Sequence, residues 1–316
     1  MRVLVAAREG LQIEERPKPV VAADQILVEV ASSSVNRADL LQAAGHYPAP
    51  PGWPPDVLGL EFAGTVVETG PGAVSAKAGD RVFGIVGGGG HATHLVTRAD
   101  LCVPVPTDLD LVTAGAAPEV FITAHDALVA RAAVRPGERV LIHGVGSGVG
   151  TAAVQVARLL GASTVGTSRT RAKLERAAEL GLEDGVIASD VMAQEIGEVD
   201  VVIDLVGGDY IRTDVAVCRP AGRIVLVGLL AGASTQMDLG AVLRKRLAMV
   251  GTTLRARPEH LKTAATTAFA REVAPLLGRE LEIVVDRVFG FDDAPAAYEY
   301  MATSGNFGNI VLSMKE

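Results

Sequence analysis

The chain has 316 residues, 49% of them hydrophobic and 21% charged, which is the composition of a soluble globular protein long enough for two domains that each bury a core. Its formal net charge of −8 argues against general nucleic-acid binding. No apolar run reaches the ~18–20 residues that a bilayer span requires, so no membrane partner is expected. The opening stretch MRVLVAAREG is too short in its apolar part for a secretory signal. Cys102 and Cys218, the only cysteines, read as buried small residues without a disulfide, and a cytoplasmic protein is expected.

Up to about residue 120 short alternating runs follow one another: RVLVAA, LQIEER, QILVEVASSSV, FAGTVVETG, DRVFGIV and HATHLVT. Turn signals such as GPG (70–72) and GD (79–80) separate them. The pattern predicts an all-β domain of barrel or sandwich type. PAPPGWPPD (48–56) is too rich in proline for a helix interior or a central strand and is expected as a surface loop; GGGG (87–90) is expected as a short flexible turn.

From about 120 to 251 apolar strands alternate with helices. ERVLIHGV (138–145) reads as a strand buried on both faces. A helix follows from about 148, with Val149, Ala152, Ala153, Val156 and Leu160 on one face. STVGTS (163–168) is the second strand and RAKLERAAELG (171–181) the second helix; DGVIAS, VDVVIDLVGG, RIVLVGLL and AMVGTTL supply more strands. This is the rhythm of a doubly wound parallel sheet. The tail predicts a helix over about 258–278, a strand over 281–289, a helix over 292–303 and a last strand, NIVLSM.

Within VLIHGVGSGVG (140–150), Gly144, Gly146, Gly148 and Gly150 recur at every second position between a buried strand and a helix. Free backbone N–H groups and the helix dipole favour a phosphate there, and glycine lets a pyrophosphate approach the backbone. Strict G-x-G-x-x-G spacing from Gly144 would need glycine where Val149 stands. A tight turn without a ligand is the alternative that the loop alone leaves open. NAD enzymes often place an acid at the end of the second strand, about 20 residues on, to bond the ribose hydroxyls. This chain reads TSRTRAK there, with Ser168 and Arg169 in that place and Arg171 and Lys173 just beyond. Cationic groups attract a 2′-phosphate that a carboxylate would repel, so NADP(H) is expected; Arg171 fits an ordinary solvated helix face equally well.

NRADLLQAAGHYPAPPG (36–52), LGLEFAGTVVETGPG (58–72), LIHGVGSGVGTAAVQ (141–155) and GNIVL (308–312) lie along essentially the whole chain. They resemble the zinc-independent quinone oxidoreductases of the medium-chain dehydrogenase/reductase superfamily, whose glycine loop is not strict G-x-G-x-x-G. The resemblance implies an α/β chain: a GroES-like β-barrel catalytic domain over 1–119, a doubly wound Rossmann NADP-binding domain over 120–254, and a segment 255–316 completing the first. It implies cofactor contacts from Asn36, Thr123, Gly146, Ser147, Gly148, Val149, Ser168, Arg169, Lys173, Gly228, Leu229, Leu254 and Asn306, the last closing over the cofactor. Asn36 and Tyr47 match positions near the nicotinamide and substrate, and both are expected as catalytic. Tyr47 is a donor to the developing oxyanion or a packed loop aromatic; Asn36 also suits the N-cap of a helix at RADLLQAAG, and the two roles can coexist. Relatives often hold the 2′-phosphate with a tyrosine after the second helix, where this chain has Ala188. Either Arg169 replaces it or NADPH selectivity is weaker.

Alcohol dehydrogenases of the same fold bind zinc through a cysteine in the segment matching NRAD and through Gly-His-Glu at the place of GLE. Here Asn36 and Leu60 stand at the first two ligand positions, the structural cysteine cluster is missing, and His91 and His94 would point to opposite faces of a strand. No metal is expected, and Glu61 is left as a structural carboxylate near the nicotinamide. Without a Lewis acid the reaction suits an acceptor that takes hydride readily. The expectation is NADPH-dependent reduction of a quinone or activated enone; the alternatives are an enoyl thioester reductase and a non-catalytic NADPH-binding protein of the crystallin kind. AMVGTTL, an apolar edge beside RIVLVGLL, predicts a homodimer.

Overall fold

Alternation of apolar and polar residues sends one face of a strand into a core. All six runs read that way form strands in the computed structural model, which describes residues 1–7 and 9–314. They are β1 (Arg2–Ala7), β2 (Gly10–Glu15), β3 (Gln25–Val35), β4 (Glu61–Thr69), β5 (Arg81–Ile85) and β6 (His94–Arg98), followed by the short β7 (Cys102–Pro104). Three helices accompany them: α1 (Arg37–Ala43), α2 (Leu111–Ala114) and α3 (Pro118–His125). The chain then alternates through β8 (Arg139–His143), α4 (Gly148–Leu159), β9 (Ser163–Ser168), α5 (Arg171–Glu179), β10 (Asp184–Ile187), α6 (Met192–Ile196), β11 (Val199–Asp204), α7 (Tyr210–Val217), β12 (Cys218–Leu226), α8 (Leu239–Lys245) and β13 (Ala248–Gly251). It ends with α9 (Glu259–Glu272), β14 (Val285–Gly290), α10 (Ala294–Thr303) and β15 (Asn309–Ser313). Two compact units result: Met1–Ile122 with Leu254–Glu316, and Thr123–Thr253.

The first unit is built on a seven-stranded sheet in the order β14-β15-β3-β4-β5-β7, with β6 also paired to β3. All its pairings are antiparallel except β14 with β15. Ile26, Val28, Phe62, Val66 and Val82 fill one core; Leu4, Val35, Leu58, Phe291 and Ile310 fill another. Phe83 meets Phe269 edge to face at 5.5 Å, which anchors α9. Each such buried side chain contributes about 1.5–3 kcal/mol.

GGGG is not a flexible turn. Residues 87–90 are buried, with the Gly89 amide on the Val57 carbonyl at 3.1 Å and that of Gly90 on Gly59 at 3.0 Å. A Cβ on Gly87 would lie 2.5 Å from the Trp53 ring, so glycine here serves close packing. Trp53 is also what pins the proline-rich loop. In the tail, α9 stops at Glu272 and a 3-10 turn covers Ala274–Leu276, because Pro275 cannot continue an α-helix. β14 starts at Val285 rather than at 281, since Leu281 makes only an isolated bridge to Leu277.

The second unit is a six-stranded, wholly parallel sheet in the order β10-β9-β8-β11-β12-β13. Leu141, Val165, Val202 and Ile224 belong to its core, with Ile211 and Val215 of α7 packed against them. Both cysteines are free; Cys218 is buried, but Cys102 on β7 is only half-buried, at an outer strand of its sheet. Among the described residues no helix is long and apolar enough to cross a membrane.

Candidate functional site

In the second unit the glycine loop joins β8 to α4. Gly144 has φ +70°, a left-handed conformation that favours glycine, and its amide and that of Val145 both donate to the Thr167 carbonyl, at 3.0 and 3.1 Å. Ser147 is the N-cap of α4: its Oγ accepts from the Gly150 amide at 3.0 Å and donates to the Gly144 carbonyl at 2.8 Å. Gly150 packs so tightly that a Cβ would fall 2.4 Å from the Gly144 carbonyl oxygen. Gly148 and Val149 open the helix, where amides have no intrahelical partner. A Cβ on Gly146 would lie 2.6 Å from Lys173 Cδ, so the aliphatic stem of Lys173 crosses the loop. The structure thus brings Lys173 to the glycines, although it belongs to α5.

Ser168 closes β9 and is buried; its Oγ accepts from the Thr170 amide at 3.3 Å. Arg169 and Arg171 are exposed. Ala188 donates its amide to the Ser168 carbonyl at 2.9 Å, so the position adjoins Ser168 with only a methyl group. Sequence reasoning missed Tyr210. Its ring stands edge-on to His143 at 4.8 Å, and its hydroxyl lies in the field of Arg169. His143 is fully buried, with Nδ1 2.8 Å from Thr167 Oγ1 and Nε2 2.8 Å from Asp214 Oδ1. Burial pushes the Asp214 carboxyl up to about 6, against the pull of His143. No local pattern marks these residues; strand pairing and the return of α7 assemble them.

The remaining predicted contacts disperse. Gly228 lies just past β12, where its amide donates to the Asp204 carbonyl at 3.2 Å and a Cβ would meet the Leu205 oxygen at 2.5 Å. Leu229 beside it is 54% exposed. Thr123 is buried on α3. Leu254 and Asn306 are buried in the first unit, and Asn306 Nδ2 donates to the Gly308 carbonyl at 2.7 Å within its own loop.

In the first unit Asn36 is the N-cap residue of α1, in a capping box with Asp39, and its Nδ2 donates to Glu61 Oε1 at 2.7 Å. The Asp39 carboxylate, at the third helical position, supplies the reciprocal half of that box by accepting from the Asn36 amide at 2.7 Å. Glu61 is fully buried on β4. It accepts from Asn36, from Ser34 Oγ and, at Oε2, from the Glu119 amide at 2.8 Å. Burial nevertheless pushes it up to about 7. His91 is fully buried and lies off β6, with Nε2 3.1 Å from the Ser34 carbonyl and Nδ1 3.0 Å from the Tyr298 hydroxyl. A carbonyl only accepts, so Nε2 carries the proton and Nδ1 accepts from tyrosine. His94, half-exposed at the start of β6, takes no part.

Tyr47 is half-buried, with the Arg255 guanidinium 4.9 Å over its ring. That guanidinium is tied down by the Tyr47 carbonyl (2.6 Å), the Gly87 carbonyl (2.8 Å) and Gln42 Oε1 (2.6 Å). Nothing in the sequence marks Arg255, which directly follows Leu254.

Zinc does not fit this centre. Asn36 turns an amide N–H toward Glu61 where a metal needs a lone pair, Leu60 has no ligating atom, and Glu61 already accepts from three hydrogen-bond donors. Among the described residues no group of three or more His, Cys, Asp or Glu side chains could hold a metal ion.

Residues 22–107 match the alcohol dehydrogenase GroES-like domain, and residues 148–271 match the zinc-binding dehydrogenase family. The chain is 30% identical to quinone oxidoreductase-like protein 2 of Bos taurus over 98% of this chain and 90% of that protein. It is 34% identical to the spectinabilin polyketide synthase system protein NorB of Streptomyces orinoci, over 93% of this chain but 13% of that protein. The polyketide synthases most similar to it are matched over only 4–19% of their length. The quinone oxidoreductase of Thermus thermophilus, also solved with NADPH, superposes with a TM-score of 0.84 at 29% identity, covering 99% of this chain and 100% of that one. The CurK enoyl reductase does so at 0.85 and 26%, covering 99% of each. The chain belongs to the quinone oxidoreductase family of the medium-chain dehydrogenase/reductase superfamily.

Proposed function

We propose that the protein binds NADPH and uses it, without a metal, to reduce a quinone or an activated enone. The observation that carries this reading is the pairing of a Ser147-capped glycine loop with exposed Arg169 and with Lys173, whose stem crosses Gly146. The loop and the start of α4 suit a pyrophosphate, and the cations suit a 2′-phosphate. Ser168, Gly228 and Thr123 are the further cofactor contacts proposed in the second unit, and Asn36, Leu254 and Asn306 those proposed in the first. The bound cofactor supplies a hydride; the protein supplies orientation and hydrogen bonds. Tyr47, fixed by Arg255, donates to the oxyanion of the reduced acceptor, and Asn36 with Glu61 forms a rigid polar floor in the place that zinc takes elsewhere.

The enoyl reductase reading is favoured by the polyketide synthase relatives and by the likeness to the CurK enoyl reductase. Steady-state oxidation of NADPH against ortho-quinones, para-quinones, enones and enoyl thioesters decides between them. Faster turnover of quinones or enones supports the first reading, and a thioester preference replaces it. Cofactor binding without turnover of any of them would leave a non-catalytic NADPH-binding protein.

A further inference from the structure

A small cavity of about 10 Å³, room for about one water molecule, lies wholly within the first unit, bordered by Trp53, Gly87, Glu119, Leu254, Arg255 and Lys262. It adjoins two of the first-unit residues that the proposed function uses: Leu254 is a wall, and Arg255, another wall, holds Tyr47. Three ionisable groups meet in it. The Lys262 ammonium sits 5.8 Å over the Trp53 ring, and Lys262 and Arg255 are each only 5% exposed. The third is the Glu119 carboxyl. The Glu119 amide is committed to Glu61, but among the described residues its carboxyl carries no hydrogen bond.

We infer that Glu119 is the proton source for the acceptor, an inference that rests on the proposed reductase function. Hydride addition to a quinone or enone leaves an anion that needs one proton. The Glu119 O–H bond breaks as the new bond to hydrogen forms on the acceptor, directly or through a single water molecule. Both electrons come from NADPH. The carboxylate left behind faces the Arg255 and Lys262 cations, and Lys262 or solvent returns its proton. The environment keeps Glu119 loaded at neutral pH: burial, then the neighbouring Glu61 and Asp39 charges, push its carboxyl up to about 8, against the pull of Arg255 and Lys262.

The test has two arms. In the cofactor-free protein, infrared difference spectra between wild type and Glu119→Gln should show a protonated carboxyl band that disappears near pH 8; ionisation already complete at pH 6 overturns the inference. In single-turnover reduction, the wild-type rate should fall above about pH 8. Glu119→Gln should lose ~100-fold in rate together with that limb, at unchanged NADPH affinity, the low end of general acid catalysis because a hydroquinone anion is already delocalised. Glu119→Asp, which keeps the acid on a shorter arm and also serves if the glutamine variant is unstable, should restore a limb at reduced rate. Wild-type rate and limb in Glu119→Gln would overturn the proton source and leave the reductase standing. A wild type that reduces no acceptor would overturn the reductase, and the proton source with it.

Discussion

Arg169 stands exposed one position past β9, beside buried Ser168, and this decides what its loss should do. On the proposed function the glycine loop meets the pyrophosphate that NADH and NADPH share, which leaves the end of β9 to tell the two apart. A hydrogen bond to a charged group contributes ~1.5–3 kcal/mol, so Arg169→Ala should weaken NADPH about 10–150-fold in a fluorescence titration and leave NADH nearly unchanged. Equal losses would make Arg169 a support of the loop. Tyr47→Phe tests a different group: the ring under Arg255 survives, so only the hydroxyl is removed. With hydride transfer limiting, kcat should fall about 100-fold or less at unchanged NADPH affinity, and an unchanged kcat returns Tyr47 to packing. The places of Ser168 and Arg169, at the end of β9 and just past it, were legible because that strand is recognisable in the sequence. Glu119, Arg255 and Lys262 were not, because no spacing within any one segment reports that α3, the stretch after β13 and α9 border one cavity. Asn36 was legible as an N-cap by its place before a helix, but its bond to Glu61 depends on how β3 pairs with β4.

At the scale of elements, periodicity carried the strands and the α/β rhythm, and failed where the signal was compositional. Four consecutive glycines look like slack; packed against the Trp53 loop they are a wall of minimal thickness. Gly87→Ala should therefore push Trp53 aside. Overpacking of this kind costs about 1–3 kcal/mol in chemical denaturation. Trp53 is the only tryptophan, so its emission should shift to the red as it loses packing; an unmoved spectrum would show that the ring has room. β13 is the other informative element. It pairs only with β12 and ends the parallel sheet; three of its four residues are exposed, Val250 at 36%. An apolar edge of this kind invites pairing with another strand, and a second copy is the partner we propose. Sedimentation at micromolar concentration should show a homodimer, and a monomer there would refute the assembly.

Across the whole molecule, the buried acids make stability depend on pH in an unusual direction. Glu61 and Glu119 have ordinary values of 4.5 raised by burial to about 7 and about 8, and Asp214 is raised to about 6. Each keeps a proton when folded that it releases when unfolded. Its contribution is fully present below the unfolded value and is lost as pH rises through the folded one. Two histidine shifts oppose this: desolvation lowers buried His91 and half-exposed His94, so their penalty is relieved as pH rises to the unfolded value of 6.5 and does not change above it. The lowered Asp56, Asp100 and Asp110 exert their effect in acid, below 3.8. Between pH 6.5 and about 8 the two glutamates titrate, buried Asp39, whose carboxyl burial also raises, acts in the same direction, and stability should decline there, by about 1.4 kcal/mol per pH unit for each proton still held. Chemical denaturation across that window should show the decline in the wild type. In Glu119→Gln the proton of Glu119 drops out while that of Glu61, the lower of the two, remains, so the slope should at least halve. A wild type whose stability is flat from pH 6.5 to 8.5 would mean that the pair is already ionised when folded, and the cavity would then hold a carboxylate bound to its two cations.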